Sequence, residues 1–192
     1  MVTEQALRVN FHAENGRRAR VGHRGVRVRL LANLGAAALA LAACSGGLRN
    51  GVFVKEGVRY ELGAPPDTWR KVELAENDLA FVAPTSAHSL AVNSTCHDFG
   101  DASLEVLTSH LLIGFTDRVK VSEEPGTLDG RASLSSRYLA RLDGVEVELA
   151  LVVMKKDGCA YDFTYVAPHG RFDEQATTFQ ALLARFKTGA RR

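Results

Sequence analysis

The sequence has few aromatic residues, little net charge and no hydrophobic run long enough to cross a membrane. Of its 192 residues, 7% are aromatic and one is tryptophan, and the formal net charge is +2. Nucleic-acid-binding domains are usually far more basic, so this charge argues against a nucleic-acid partner. An uncharged Leu- and Ala-rich stretch, Leu30 to Ala43, has 14 residues, whereas a helix that spans a bilayer needs about 20. The composition, with 46% hydrophobic residues, excludes fibrous and wholly disordered chains and predicts one globular domain.

The motifs of several enzyme classes are also absent. The sequence contains no G-x-S-x-G or S-x-x-K motif of a serine nucleophile. It contains no phosphate-binding loop and no G-x-G-x-x-G fingerprint of a dinucleotide-binding fold. We therefore predict a protein without enzymatic activity and without a cofactor.

The first 43 residues have the organisation of an export signal. Residues 1–29 carry seven arginines and two acids, and the apolar stretch that follows them ends in small residues. This order is typical of a cleaved signal peptide, so residues 1–43 are expected to be removed. The remaining 149 residues carry 17 basic and 20 acidic side chains, a net charge of −3. The basic segment is unusually long, which leaves two alternatives open: twin-arginine export through Arg17-Arg18, and a translation start at Val21, Val26 or Val28.

Leu41-Ala42-Ala43-Cys44 stand at the end of this signal and resemble the lipobox of bacterial lipoproteins. In those proteins the cysteine thiol accepts a diacylglycerol, and the small residues before it give the peptidase access to the backbone. The resemblance implies lipidation at Cys44 and a membrane anchor, which is stable when several acyl chains are attached. Ser45 follows in place of the aspartate that favours inner-membrane retention in enteric bacteria, so the outer membrane facing the periplasm is the expected location. An ordinary signal peptide with an incidental cysteine is the alternative.

The part after the signal divides into a tether, a domain and a tail. Residues 44–51 are small and Gly-rich, which is typical of a flexible tether. Residues 52–188 are expected to form a single globular domain, and residues 189–192 a short basic tail. A domain of this length can bury one good core.

Three Asp-Gly pairs predict the centre of this domain. They stand at 129–130, 143–144 and 157–158, at a constant spacing of 14 residues. Asp-Gly between apolar runs is a strong hairpin signal because both residues tolerate a positive φ. Three such turns in series predict a four-stranded antiparallel meander.

The alternation of apolar residues predicts the register of each hairpin. A two-residue turn at 143–144 places Val145, Val147 and Leu149 on the apolar face of the preceding strand. Residues 149–154 are apolar on both faces, so we expect them to form a central strand that is covered on each side. A two-residue turn at 129–130 brings Val119 and Val121 beside Ala140 and Tyr138 on that face. For the last turn we favour a three-residue loop, Lys156 to Gly158, which adds Tyr161, Phe163 and Tyr165 to the same face.

Two helices are expected to frame the meander. Apolar residues recur at helical spacing in 101–115 and in 172–187, and Asp101 stands near the start of the first segment. Upstream of the first helix, four segments have the pattern of short strands, namely residues 52–62, 70–75, 79–83 and 89–94. The predicted order is β-β-β-β-α-β-β-β-β-α, an α+β fold with an antiparallel sheet and two packing helices.

The segment Tyr60-Glu61-Leu62-Gly63-Ala64-Pro65-Pro66-Asp67-Thr68-Trp69 resembles the opening of PsbP-like domains. The resemblance extends over about 60–188, because that family continues with a hairpin, a helix, a long meander and a C-terminal helix. It implies a domain that binds partners or assists assemblies, and no catalytic motif comes with it.

Two cysteines remain once Cys44 is set aside. An even pair in an exported chain predicts a disulfide between Cys96 and Cys159; two free thiols or a metal or redox role are the alternatives. The candidate zinc or copper ligands are Cys96, His97, Asp98 and His110, joined by Cys159 or His169, but their spacing matches no compact metal motif. Asp162, between two aromatic residues of a predicted strand, is a candidate buried acid; a place on the outer sheet face, or a hydrogen bond accepted at an edge, is the more frequent alternative.

Two functions are consistent with these features. The first is a lipid-anchored, non-enzymatic envelope protein that binds a protein partner or assists an assembly. The second is a periplasmic carrier of a small ligand or metal that uses the region of Cys96 and His97. An exposed apolar patch or a long sheet edge would favour the first function, and a concave pocket at Cys96 would favour the second.

Overall fold

The computed structural model describes residues 47–55, 57–74, 77–96 and 99–189. Cys44 and His97 lie outside these ranges, as does the predicted signal peptide. The described chain contains eleven strands and two helices, and the α+β class predicted from sequence is confirmed. The strands are β1 (Gly47–Arg49), β2 (Val52–Lys55), β3 (Val58–Glu61), β4 (Arg70–Val72), β5 (Leu79–Ala83), β6 (His88–Cys96), β7 (Phe115–Leu128), β8 (Arg131–Leu142), β9 (Val145–Lys156), β10 (Cys159–Pro168) and β11 (Lys187–Thr188), and the helices are α1 (Leu104–Leu111) and α2 (Asp173–Ala184).

The described strands form two antiparallel sheets. The large sheet has the order β4-β5-β6-β10-β9-β8-β7, and the small sheet has the order β1-β2-β3-β11. The predicted meander is present as β7 to β10, and β10 also pairs with β6. This pairing joins the two halves of the chain through the middle of the large sheet.

Each face of the large sheet has its own apolar core. On one face, α2 and the small sheet pack on the aromatic residues of β10, where the ring of Phe186 lies 4.8 Å from that of Phe163 and 5.4 Å from that of Tyr161. On the other face, Leu112 after α1 and Phe115 at the start of β7 pack against β8 and β9. β9 contributes to both cores, so the prediction of a central strand covered on both sides is confirmed.

The register of the second hairpin follows the prediction, and that of the other two does not. Val145, Val147 and Leu149 pair with Leu142, Ala140 and Tyr138. The three-residue loop predicted for the last turn is wrong. Cys159 pairs directly with Lys156 across a two-residue turn whose residues, Asp157 and Gly158, have φ of 52° and 72°. Tyr161, Phe163 and Tyr165 therefore lie on the opposite face, towards α2, opposite Met154, Val152 and Ala150.

In the first hairpin, the predicted pairing of Val119 and Val121 is also wrong. Two register shifts, between Thr116 and Val119 and between Lys120 and Ser122, displace β7 against β8. Val119 consequently pairs with Leu139, and both valines are exposed. The bulges decide this outcome, because an extra residue in one strand moves every later side chain relative to its partner strand.

Both helices are shorter than predicted, and part of the tether is a strand. α1 begins after Ser103, whose hydroxyl accepts a hydrogen bond from the Val106 amide, and not near Asp101. α2 ends at Ala184, and the chain after it forms β11 against β3. Residues 47–51, predicted as tether, form β1 and a turn at Asn50-Gly51. With eight and twelve residues, the described helices are too short to cross a bilayer.

Candidate functional site

The edge of the large sheet at β7 is the main exposed feature that could serve binding. β7 has 14 residues, of which Phe115 is buried, Leu128 is half-buried and all the others are exposed. One side of β7 pairs with β8, and no described strand pairs with the other side. An edge strand of this kind presents backbone N–H and C=O groups that can pair with a strand of another chain.

Several features restrict which chain could pair with this edge. The two bulges twist the first half of β7, where Asp117 has a φ of 50°. Pro125 has no N–H to donate, and prolines in sheets are confined to such edges and to bulges. Natural proteins use bulges, charges and prolines to prevent indiscriminate strand addition. Pairing along the whole strand is therefore hindered, and a partner must fit its irregular shape.

Apolar and charged side chains alternate along this edge. Val119 and Val121 are 57% and 51% exposed. Between them, the Lys120 ammonium donates a hydrogen bond of 2.8 Å to Glu123 and lies 6.0 Å from the centre of the Tyr138 ring. The edge thus offers a partner both apolar side chains and an ordered ion pair.

The two predicted disulfide partners lie at one end of the large sheet. Cys96 ends β6 and Cys159 begins β10; the two residues pair directly across the strands and the structure joins them in a disulfide. Metal coordination requires a thiolate, which an oxidised cysteine lacks. In this disulfide form, neither cysteine can serve as a ligand of the metal that the carrier hypothesis requires. His97 lies outside the described residues.

The remaining metal-ligand candidates do not come together. His110 is exposed in the last turn of α1, and His169 is exposed with its Nδ1 3.8 Å from a carboxylate oxygen of Glu148. Within the described ranges, no three His, Cys, Asp or Glu side chains are placed to hold a metal ion.

Sequence reasoning missed a buried ionic cluster around Asp78, a residue that reads as an ordinary turn residue before β5. The Lys55 ammonium, the Tyr60 hydroxyl and the Ser94 hydroxyl all donate hydrogen bonds to its carboxylate. Lys55 also donates to the Ser94 carbonyl at 2.6 Å. Burial raises the pKa of Asp78, and the hydrogen bonds from Lys55 and Ser94 oppose that shift. With all three donors engaged, the cluster joins the small sheet to β6 and has the character of a structural contact.

Asp162, the predicted buried acid, stands in the centre of the large sheet opposite Asn93. Burial, together with the nearby Asp78 charge, raises its pKa to about 7, while the charge of Lys55 and a hydrogen bond with Asn93 act in the opposite direction. This carboxyl group changes protonation near neutral pH. Its charged neighbours, Asp78 and Lys55, are engaged with each other in the structural cluster described above, and we assign no function to Asp162.

Comparison with known proteins supports the fold and not a specific activity. No family model and no curated protein matches the sequence. Among solved structures, cyanobacterial PsbP (CyanoP) from Synechocystis sp. PCC 6803 aligns with a TM-score of 0.53 and 16% identity, over 83% of this chain and 99% of CyanoP. LpqN, which is involved in cell envelope biogenesis of Mycobacterium tuberculosis, aligns with a TM-score of 0.51 and 12% identity, over 69% of this chain and 86% of LpqN. The chain therefore has the same fold as CyanoP and LpqN, as its resemblance to PsbP-like domains implies.

Proposed function

We propose that this chain is a non-enzymatic lipoprotein of the cell envelope that binds a protein partner or assists an assembly. Acyl chains on Cys44 hold it in a membrane, and its domain faces the periplasm from the outer membrane. The observation that carries the proposal is the β7 edge, 14 residues long and almost entirely exposed. The lipobox provides the location, and neither similar structure has an enzymatic name.

The proposed mode of binding follows from the geometry of the edge. An extended segment of the partner adds to β7, and backbone hydrogen bonds supply much of the affinity. Val119 and Val121 provide apolar contacts, while the two bulges and Pro125 exclude chains that cannot follow the irregular ladder. β8 pairs with β7 from the other side and holds it in place in the sheet.

Lipidation is tested by growing the source bacterium, or one with the same lipoprotein pathway, with labelled palmitate. The full-length chain should incorporate the label and sediment with membranes, whereas a Cys44→Ala variant should do neither. Separation of the two membranes by density then shows which one holds the protein. An unlabelled chain that is secreted in soluble form would refute the anchor.

Partner binding is tested with a photo-crosslinking amino acid at Val121, in cells that express the lipidated protein. The matched control is the same amino acid at Val145, which is 41% exposed against 51% for Val121 but begins β9 instead of lying in the edge strand. A discrete crosslinked product that forms from position 121 and not from position 145 supports the proposal. Equal products from both positions, or none from position 121, would contradict it.

A further inference from the structure

The small sheet lies directly after the proposed anchor. Only Ser45 and Gly46 separate Cys44 from β1, which begins at Gly47. Three steps of 3.8 Å between Cα atoms limit the distance from Cys44 to Gly47 to about 11 Å. If Cys44 carries the lipid, β1 begins within about 11 Å of the lipidated residue, a distance comparable to the Debye length of about 8 Å at physiological ionic strength. A long flexible tether would not hold the domain so closely.

The register of the small sheet shows which residues share this position. Gly47 pairs with Val54, Val54 pairs with Arg59, and the Gly189 amide donates a hydrogen bond of 2.8 Å to the Arg59 carbonyl. These four residues therefore form one row across the sheet. The row runs from the strand that follows the anchor to Gly189, the last residue of the described chain. In the sequence, Arg191 and Arg192 come next.

The outer face of the small sheet is positively charged. Side chains alternate between the two faces of a strand, and Leu48, Phe53 and Tyr60 point into the core. The alternate positions are exposed and hold three basic residues and one acid, namely Arg49, Arg59, Lys187 and Glu61. Val54, 46% exposed, lies beside Arg59 on this face.

We infer that this face, through Arg49, Arg59 and Lys187, contacts the anionic phospholipid headgroups of the leaflet that holds the anchor. The inference rests on the proposed lipidation of Cys44. A basic side chain close to an anionic bilayer favours the bound state by about fivefold. The Lys187 ammonium lies 3.4 Å from a carboxylate oxygen of Asp129 and Lys187 pairs with Glu61 across the strands, so Arg49 and Arg59 supply most of the attraction that selects one orientation of the domain. The contact holds the small sheet against the membrane and leaves the far end of the large sheet in solution.

Two valines at opposite ends of the molecule provide matched probe positions. Val54 lies on the proposed contact face, and Val145 starts β9 at the end remote from the small sheet. At the other end of β9, Lys156 contacts Asp129, which in turn binds Thr188 of β11. The eleven residue steps from Val145 to Lys156 correspond to about 36 Å along the strand.

The experiment uses the mature lipidated protein in phosphatidylcholine vesicles, with and without phosphatidylglycerol. A fluorophore is attached at Val54→Cys or at Val145→Cys, and a headgroup spin label in the lipid quenches it according to distance. We expect at least threefold stronger quenching at position 54 than at position 145 in the anionic vesicles. Arg59→Glu, or omission of phosphatidylglycerol, should reduce this difference. The control reversal Arg118→Glu changes an exposed arginine near the start of β7, at the same end of the sheet as Val145, and should leave the difference unchanged.

Two failures can be told apart by flotation of the same vesicles. If the protein floats with the vesicles but both labels are quenched equally, or if quenching does not depend on lipid charge, the orientation is refuted while the anchor stands. If the protein carries no lipid and does not float, the proposed lipidation fails and the orientation fails with it.

Discussion

Replacement of Asp129 should reveal how the two sheets are held together. Asp129 lies in the turn between β7 and β8, and its side chain is 9% exposed. Its carboxylate accepts hydrogen bonds from the Lys156 ammonium at 2.7 Å, from the Thr188 amide at 2.8 Å and from the Thr188 hydroxyl at 2.9 Å. One side chain thus connects two turns of the large sheet to the last strand of the small sheet.

The substitution Asp129→Asn removes the charge and retains the backbone. Asparagine tolerates the φ of 47° at this position, and its amide oxygen can still accept one hydrogen bond. Hydrogen bonds to a charged group contribute about 1.5–3 kcal/mol each, and the 21% exposure of the Lys156 side chain reduces the ionic part. We expect a loss of about 2 kcal/mol in the free energy of unfolding.

The matched control is Asp143→Asn in the next Asp-Gly turn. Asp143 has a φ of 49° and is exposed, so its replacement should change the free energy of unfolding by less than about 0.5 kcal/mol. The measurement is urea denaturation of the mature chain carrying Cys44→Ser. Equal stabilities of Asp129→Asn and Asp143→Asn would refute the assigned role of Asp129.

The pH dependence provides a second check of the same contact. Burial alone would raise the pKa of Asp129, but the hydrogen bonds from Lys156 and Thr188 outweigh it and hold the pKa well below its usual range. Such an acid contributes its stabilisation above the pKa of the unfolded chain, about 3.9, and loses it as the pH falls through the folded value. The difference between the protein and Asp129→Asn should therefore be complete near neutral pH and shrink below about pH 4. A difference that persists in acid would refute an ionic origin.

Three further predictions concern the cores and the cysteines. Denatured protein with Cys44→Ser should show no free thiol before reduction, and two free thiols would contradict the disulfide. Cys96 and Cys159 are 63 residues apart, so reduction of their bridge should lower the free energy of unfolding by about 4 kcal/mol. Because the pKa of Asp162 is raised to about 7, its ionisation opposes folding as the pH rises from about 4 to 7. Asp162→Asn should thus gain stability relative to the protein by about 3–4 kcal/mol across this range. A carboxyl NMR titration with an ordinary pKa would contradict the shift. Phe186 is 1% exposed and packs among aromatic rings, so Phe186→Ala should lower the free energy of unfolding by about 3–5 kcal/mol in a denaturation experiment. A loss below about 1 kcal/mol would contradict this and show that the core collapses into the space left by the ring.

The hairpins show how far local patterns predict this fold. Asp-Gly turns and alternating side chains were enough to predict the meander and the register of β8 against β9, because those signals lie within a few residues of each turn. The turn at Asp157-Gly158 was predicted wrongly since β9 and β10 are apolar on both faces, and alternation then cannot select a face. The bulges in β7 also escaped prediction, because a single Asp117 without an adjacent glycine does not distinguish a bulge from an ordinary strand position.

The candidate binding surfaces were predicted less well than the fold. The resemblance to a lipobox and the cysteine pair are visible in the sequence, whereas the exposure of β7 depends on its place at the end of the strand order. The basic face of the small sheet depends on pairings between residues far apart in the chain, such as Lys187 with Glu61. No local pattern indicates such contacts.

By itself, the sequence predicted an export signal and lipidation at Cys44, which stay predictions, and it determined the α+β class and the turns of the meander. These depend on composition and on short-range chemistry: small residues before a thiol, left-handed conformations of Asp and Gly, and the alternation of side chains along a strand. Only the tertiary structure decided that two sheets form, that β7 is an edge, and that Asp129 and Asp78 bind residues far away in the chain. The physical reason is that long-range pairing is selected by the packing of two cores around one central sheet, which no segment specifies alone.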